Sequence, residues 1–228
     1  EACRSLKYNR DEYLAQIGNE TIISKLVETA ALWQSPDYKL RKLALAADPK
    51  DTGFPREVLA AGLDACFKEW TQEKFFSLLN QEIGDPTRLQ SYGSLSGRSL
   101  AMVHGPKLIA QLAPGNLPVP IFQSIAFGLL LRSAQFVKCA TGKSLLPRLF
   151  GHSLHYVDPG LASALEIAEW KGGNEKLESE LYNEADCILA TGNDSTLESV
   201  RKYLPLNKKF IGYGNRISFG YVEQLANE

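Results

Sequence analysis

The fold of this chain is decided by residues 107–142, which read KLIAQLAPGNLPVPIFQSIAFGLLLRSAQFVKCATG. The spacing of apolar residues predicts a strand over 107–113, a tight turn, an apolar helix over about 120–132 and a second strand over 135–140. This is one β-α-β unit, and its turn carries the polar side chain of Asn116 at the carboxyl end of the first strand. Because ligands bind at that edge in open parallel sheets, the stretch predicts the fold class and the position of a site.

The chain after Gly142 continues the same rhythm of helix and strand. Strands are predicted near 165–170, over 186–190 and over 209–212. Helices are predicted over about 144–154 and over 174–184, and a further helix is expected from near Ser218. Another helix is predicted after a cap at Asp194 or Ser195, because Ser195 with Glu198 fits a capping box. This alternation predicts an α/β fold, with a helical N-terminal lead-in followed by an open, mostly parallel five-stranded sheet that has helices on both faces. Right-handed crossovers then place the glycine-bearing turns at 115, 142, 172, 192 and 214 on one edge, where backbone N–H groups can approach an anion closely.

The residues before this α/β region predict a helical lead-in without candidate chemistry. Helices are expected over 11–33, from Ser35-Pro36 through Ala46, after Pro55, and from a cap at Thr71 to Gly84. Residues 85–106 contain three glycines and four serines and show little periodicity. They predict a connecting loop or a short hairpin.

The composition bounds the class of protein. With 228 residues, 44% hydrophobic and 22% charged, the chain is typical of a soluble globular protein that buries a core. A formal net charge of -1 gives no electrostatic reason to expect a nucleic acid or an anionic membrane as partner, and the most apolar run is too short to span a bilayer. Four scattered cysteines without a CxxC pair favour free thiols and a cytoplasmic location. Since Met102 is the only methionine, the chain is expected to be a piece of a longer protein.

Two polar residues of the opening stretch are candidates for chemistry. The Asn116 carboxamide could donate a hydrogen bond to an oxygen that becomes negative in a transition state, an effect worth about 3 kcal/mol in other enzymes. Pro-Gly-Asn is equally a good turn sequence, because asparagine bonds its own backbone. Lys138, near the end of the second strand, could reach the ribose or phosphate of a dinucleotide, or could simply be a solvated lysine. The local sequence leaves both alternatives open for each residue.

Other motifs are weaker. The sequence from Thr141 to Ser144 resembles the end of a phosphate loop, but the glycine that this loop needs at position 137 is a valine. His152 and His155 have no acidic or cysteine partner at the spacing of a zinc site. No Gly-x-Gly-x-x-Gly is present, so a dinucleotide would have to bind without the usual fingerprint.

Five motifs, in order over residues 107–222, resemble the LuxC-type acyl-CoA reductases: LAPGNLPVP, SIAFGLLLRSAQFVKCA, DPGLASALEIAEWKGG, ADCILATGNDST and KKFIGYGNRISFGYV. These are the fatty acyl reductases that supply aldehyde in bacterial bioluminescence, a branch of the aldehyde dehydrogenase superfamily. The helical lead-in fits the resemblance more loosely.

The resemblance implies roles for particular residues. Asn116 matches the oxyanion-holding asparagine of the Pro-Trp-Asn-Phe-Pro type turn, although Gly115 replaces the tryptophan. Lys138 matches the lysine that contacts the adenosine ribose and, in NADP users, its phosphate. Gly212 stands where oxidising relatives carry a glutamate base, which fits acyl exchange with CoA better than hydrolysis. The implied site has Asn116 as catalytic oxyanion donor, no metal, and a cofactor-binding set of Ala113, Pro114, Gly115, Lys138, Thr191, Gly192, Asn193, Gly212, Tyr213 and Gly214.

The implied function is NADPH-dependent reduction of an acyl-CoA, or another acyl thioester, to the aldehyde. The cysteine that forms the acyl-enzyme would lie outside this chain. Residues 1–228 would then be a single cofactor-binding domain, with a helical lead-in (1–84), a connecting loop (85–106) and a dinucleotide-binding core (107–228). It would be inactive without the catalytic domain of the same protein, and its partners could include further copies of the chain or an acyl-transfer protein. An acyl-phosphate reductase of the same superfamily and a non-catalytic nucleotide-binding or scaffold domain remain alternatives.

Overall fold

The computed structural model describes residues 1–96, 99–115 and 119–221. Its first part is helical, and the helices are α1 (Ala2–Asn9), α2 (Asn19–Gln34), α3 (Lys39–Ala46), α4 (Pro49–Thr52), α5 (Arg56–Lys68) and α6 (Gln72–Ile83). A π-helical turn, Arg10–Leu14, continues α1, and the chain then breaks before Gly18 caps α2. The helix predicted over 11–33 is therefore two separate pieces, because Gly18 is extended rather than helical.

The start of the next helix also differs from the prediction. Ser35 was expected to cap it, but the Ser35 N–H donates to the carbonyls of Ala31 and Leu32, so this residue ends α2. The helix α3 begins four residues later, at Lys39. The Thr71 cap is confirmed, since its hydroxyl accepts from the Lys74 N–H at 3.2 Å.

The connecting segment forms a short hairpin, which was one of its two predicted states. After a 3-10 turn at Pro86–Leu89, β1 (Gly93–Ser96) pairs antiparallel with β2 (Ser99–Ala101).

The remaining elements form the predicted α/β layer. They are β3 (Leu108–Leu112), α7 (Val119–Leu130), β4 (Ala134–Cys139), α8 (Leu145–Val157), α9 (Pro159–Ala162), β5 (Leu165–Glu169), α10 (Glu175–Glu184), β6 (Cys187–Thr191), α11 (Asp194–Lys202) and β7 (Lys209–Tyr213). The five strands from β3 to β7 lie in the order β5-β4-β3-β6-β7, and every neighbouring pair is parallel. The parallel five-stranded sheet is therefore confirmed. The helix expected from near Ser218 is not seen over 218–221, and residues 222–228 lie outside the described part of the chain.

Helices cover both faces of the sheet. The helices α7 and α8 pack on β4 and β5 with α2 and α5 behind them, whereas α1 and α10 pack on β3 from the other side. Within the described residues, no helix is long and apolar enough to cross a membrane.

The lead-in shares one hydrophobic core with the sheet layer. Its centre is an aromatic cluster of four buried rings from α2, α5, α7 and α8: Trp33, Phe67, Phe122 and Phe150. The ring centroids of Phe67 and Phe122 are 5.7 Å apart, and those of Phe122 and Phe150 are 4.9 Å apart. The Trp33 indole N–H donates to the Ser153 hydroxyl at 2.9 Å, so the polar atom of the largest ring is satisfied.

Candidate functional site

The carboxyl edge of the parallel sheet gathers the glycine-bearing turns that the sequence predicts there. Gly115, Gly142, Gly172, Gly192 and Gly214 each follow the end of one of the five strands by one to three residues. Because all five strands are parallel, these turns share one edge.

The order of the strands marks one place on this edge. From β3 the chain moves outward through β4 to β5, and it then returns to the other side of β3 for β6 and β7. The direction reverses between β3 and β6, and ligands of open α/β sheets bind in the crevice at such a switch point. Ala113, Pro114 and Gly115 follow β3 on one side of the crevice, and Gly192 and Asn193 follow β6 on the other.

Backbone hydrogen bonds tie the predicted residues to their neighbours along the edge. The Ala113 N–H donates to the Lys138 carbonyl at 2.9 Å, and the Gly192 N–H donates to the Tyr213 carbonyl at 3.1 Å. The structure thus brings the ends of β3 and β4 together, and likewise those of β6 and β7. Asn116 lies outside the described residues.

Lys138 lies beside an aromatic ring that the sequence did not single out. Its Nζ is 5.8 Å from the centroid of the ring of Trp170, the residue that follows β5. Gly172 is close to the same nitrogen, since a side-chain Cβ built at this glycine would lie 3.9 Å from it. The buried Trp170 Nε1 has no hydrogen-bond partner among the described residues. A buried donor without an acceptor is uncommon in native structures. An aromatic residue directly before Lys-Gly-Gly at a strand end is the signal that could have found it.

A second residue missed from the sequence is Glu169, the last residue of β5. Its carboxylate accepts from the Gly142 N–H at 2.7 Å, and Gly142 adopts the left-handed conformation with φ of 72°. This hydrogen bond, followed by one from the Ser144 hydroxyl, lowers the pKa of Glu169 below its ordinary value. The Gly142 N–H that a phosphate loop would use is therefore already bound, which argues against that interpretation of 141–144.

The amino terminus of α11 is capped by Asn193, and not by Asp194 or Ser195 as predicted. The Asn193 Oδ1 accepts from the Thr196 N–H at 2.8 Å and from the Thr196 and Ser195 hydroxyls. Asn193 has the extended conformation that a cap requires, with φ of −73° and ψ of 165°. Its carboxamide is thus used within the protein, and its contribution to a ligand site is to fix the start of the helix.

Replacing Asn193 by alanine is expected to lower the free energy of unfolding by about 1 kcal/mol, the usual value of an N-cap side chain. Chemical denaturation of the chain measures this loss. Asn193→Ser, which keeps an acceptor oxygen, should restore most of it. An alanine variant as stable as the parent would show that the three hydrogen bonds to Oδ1 contribute nothing.

The end of β7 lies against α11. The Asp194 carboxylate accepts from the Asn215 N–H at 3.0 Å, and a Cβ on Gly214 would collide with this carboxylate. A Cβ on Gly212 would lie 2.9 Å from the Phe210 ring. The exposed groove between these elements is also lined by charged side chains of both signs: Glu198, Arg201 and Arg216. Side chains at both glycines would therefore be crowded, by Asp194 of α11 at Gly214 and by the neighbouring Phe210 of β7 at Gly212.

The cysteines of the chain are poor nucleophiles. Burial raises the pKa of Cys66 and of Cys139 to about 11, and it also raises those of Cys3 and Cys187. A thiol with a raised pKa is protonated at neutral pH and reacts slowly. Among the described residues, no group of three or more histidine, cysteine or acidic side chains could hold a metal ion.

The decisive observation is a match to a protein family. The sequence pattern of the family acyl-CoA reductase (LuxC) fits residues 14–228, which is nearly the whole chain. The chain belongs to the LuxC acyl-CoA reductase family. Comparison with curated proteins gave no match.

Solved structures similar to this LuxC-family chain are aldehyde dehydrogenases. A putative aldehyde dehydrogenase from Burkholderia cenocepacia is 19% identical with a TM-score of 0.69, and the match covers 92% of this chain and 43% of that one. Betaine aldehyde dehydrogenase from Staphylococcus aureus in complex with NAD+ is 16% identical with a TM-score of 0.69, over 92% and 41% of the two chains. An NADP-dependent glyceraldehyde-3-phosphate dehydrogenase from Bacillus halodurans, complexed with NADP, is 15% identical with a TM-score of 0.70, over 92% and 42%.

The LuxC-family chain therefore has the fold of the corresponding part of an aldehyde dehydrogenase. It spans about two fifths of the length of these structures.

Proposed function

We propose that this chain is the cofactor-binding part of an NADPH-dependent reductase that converts an acyl-CoA, preferably a fatty acyl-CoA, to the aldehyde. The observation that carries the proposal is the switch-point crevice between β3 and β6 in a chain of the LuxC family. The acyl group would be held on a cysteine outside this chain, which agrees with the raised pKa values of the four thiols inside it. Further proposed partners are the catalytic domain of the same protein and an acyl-transfer protein, in the reducing cytoplasm.

The residues at the edge fit a nicotinamide dinucleotide. Gly115 and Gly172 leave backbone exposed at the ends of β3 and β5, and the Trp170 N–H lacks an acceptor among the described residues. Lys138 has no carboxylate within ion-pair distance among the described residues, so its charge is available to a ribose phosphate. When bound, NADPH supplies the hydride that reduces the thioester carbon.

The remaining roles fall to this chain's own side chains. Asn116 follows Gly115 directly in the sequence, and we propose that its carboxamide donates to the oxyanion that develops on the substrate carbonyl. Gly212 offers no carboxylate to activate water at the end of β7, which supports acyl exchange with CoA over release of a free acid. Lys138 would hold the adenosine end of the cofactor.

The test is turnover by the full-length protein with NADPH and acyl-CoA substrates of several chain lengths, with the aldehyde trapped as a hydrazone. Aldehyde formation coupled to NADPH oxidation is the expected result. Faster reduction of an acyl phosphate than of the acyl-CoA would favour the related reductase class. Nucleotide binding without any reduction would indicate a scaffold and overturn the proposal.

Replacing Lys138 by alanine is expected to weaken NADPH binding to the full-length protein about tenfold, because one charge-assisted hydrogen bond is worth about 1.5 kcal/mol or more. NADH binding should change much less, since it lacks the ribose phosphate. Calorimetric titration with both cofactors measures the difference. Lys39→Ala, on the exposed surface of α3, is the control for net charge. Equal losses for NADH and NADPH would show that Lys138 does not distinguish them.

A further inference from the structure

A polar cavity lies at the opposite, amino edge of the parallel sheet. Its volume is about 340 Å³, within the range of small-molecule sites, and its polar lining includes Arg10, Gln16, Gln90, His104 and Arg132. His104 precedes β3 and Arg132 precedes β4, so the length of the strands, about 17 Å, separates this cavity from the cofactor edge. It is not part of the site proposed above.

The cavity contains a buried cation without a counter-ion. Arg132 is only 4% exposed, and its guanidinium donates to the Ile17 carbonyl at 3.0 Å, the Leu130 carbonyl at 3.1 Å and the Asn19 Oδ1 at 2.7 Å. All three acceptors are neutral, and in the described part of the chain no carboxylate lies within 4 Å of the guanidinium. An arginine has five N–H donors, so two are left over. A buried charge without an opposite charge is costly, which favours an anion beside it.

The backbone at this residue is constrained as well. Arg132 has a φ of 55°, in the left-handed region that side chains other than glycine, asparagine and aspartate rarely adopt. The Arg10 Nε donates to the Arg132 carbonyl at 2.8 Å, which holds the turn in place. This strained geometry brings the two arginines to the same cavity.

The charges around the cavity leave a positive excess. Asp11 is the acid paired with Arg10, and it is shared with Lys107, whose Nζ is 3.9 Å from its other oxygen. Arg10 and Lys107 therefore share one half-exposed carboxylate, and Arg132 adds a third positive charge that has no acid of its own among the described residues. The Ser133 hydroxyl, completely buried and without a partner among the described residues, lies beside Gly105 in the wall of the cavity.

We propose that this cavity binds a phosphate group, either free phosphate or a small phosphorylated molecule. Arg132 and Arg10 would contact its oxygens through their guanidinium groups, whose planar donors match the geometry of phosphate. His104 and Gln90, at the open side, would donate to the remaining oxygens. The volume leaves room for an organic group attached to the phosphate.

The experiment titrates inorganic phosphate into the full-length protein at constant ionic strength, with sodium chloride as the balancing salt, and follows the unfolding midpoint and the heat of binding. Phosphate is expected to raise the midpoint beyond the chloride reference and to bind at one site. Arg10→Gln and the more conservative His104→Gln should each weaken binding at least about tenfold, the effect of one lost hydrogen bond to a charged group.

The Lys138→Ala variant separates this cavity from the cofactor edge. Unchanged phosphate binding in Lys138→Ala, together with weakened binding in His104→Gln, would support the proposal. Loss in Lys138→Ala with no change in His104→Gln would place the phosphate at the cofactor edge and overturn it, as would the absence of any effect beyond chloride. If Arg10→Gln does not fold, the exposed residues His104 and Gln90 still give a decisive result when replaced singly. A failure of the phosphate-binding proposal would not affect the proposed acyl-CoA reduction, because phosphate binding and turnover are measured in separate experiments.

Discussion

Replacing Asn116 by alanine is expected to lower kcat of the proposed full-length reductase by about 10²–10³-fold, the usual loss when one oxyanion donor is removed. The affinity for NADPH should change by no more than about twofold, because the carboxamide is proposed to contact the substrate carbonyl as charge develops and not the cofactor. Steady-state kinetics with an acyl-CoA and calorimetric titration of NADPH provide the two numbers. Asn116→Asp should be at least as damaging, since a carboxylate would repel the developing negative charge.

The matched control for this prediction is Asn174→Ala. Asn174 likewise comes between a strand and the next helix along the chain, but its Oδ1 accepts from the Leu177 N–H at 3.3 Å and caps α10. The Asn174→Ala variant should be less stable than the parent but should have a kcat within about twofold of it. Parallel losses of kcat and NADPH affinity in Asn116→Ala would show instead that Asn116 only shapes the turn, the alternative left open by the local sequence.

Replacing Phe67 by alanine is expected to lower the free energy of unfolding of the chain by about 3–5 kcal/mol, the cost of removing a buried aromatic ring. Phe67 is fully buried, and its ring lies 5.5 Å from Trp33, 5.7 Å from Phe122 and 6.1 Å from Phe150. It therefore joins α5 of the lead-in to helices that cover the sheet. Denaturant unfolding followed by circular dichroism and tryptophan fluorescence measures the loss.

The same measurement tests our proposal that the lead-in and the sheet layer are a single domain. Both probes should follow one transition, shifted in Phe67→Ala as a whole, because the two parts share a core. Leu43→Ala, at a side chain that is 49% exposed on α3, should cost less than about 1 kcal/mol. Two separate transitions, or a Phe67→Ala loss no larger than that of Leu43→Ala, would contradict the single-domain proposal.

The arrangement of the α/β layer could be predicted from the sequence because its signals are local. The strands of residues 107–140 differ from their predicted bounds by one residue at each end, since apolar runs bounded by Pro-Gly and Thr-Gly leave little choice. The predicted helix boundaries are wrong where one residue type is suited to two positions in a helix. Ser35-Pro36 is a good start for a helix, yet the Ser35 N–H completes the preceding one. After Gly192, Asn193, Asp194 and Ser195 are all residues that commonly cap a helix. The Asp194 carboxylate accepts a hydrogen bond from the distant Asn215 N–H, and Asn193 caps α11.

The candidate site was predicted less completely, because its contacts depend on strand register. The ring of Trp170 meets Lys138 only because β4 pairs with β5 so that Lys138 lies opposite Ala168. Glu169 reaches the Gly142 N–H for the same reason. The spacing of residues along the sequence does not indicate the register in which two strands pair. The glycines and Lys138 could be predicted because their residue types at strand ends are themselves the signal.

The central position of β3 also determines how the nascent chain is exposed during translation. On one side β3 pairs with β4, which follows after a single helix, but on the other side Ile109 pairs with Cys187. A ribosome that adds about 5–20 residues per second needs several seconds to make the chain between them. During that interval one edge of an apolar strand has no partner and can pair with other chains. Chaperone capture of ribosome-bound intermediates is therefore expected to end when β6 emerges, and slow codons before it should increase aggregation.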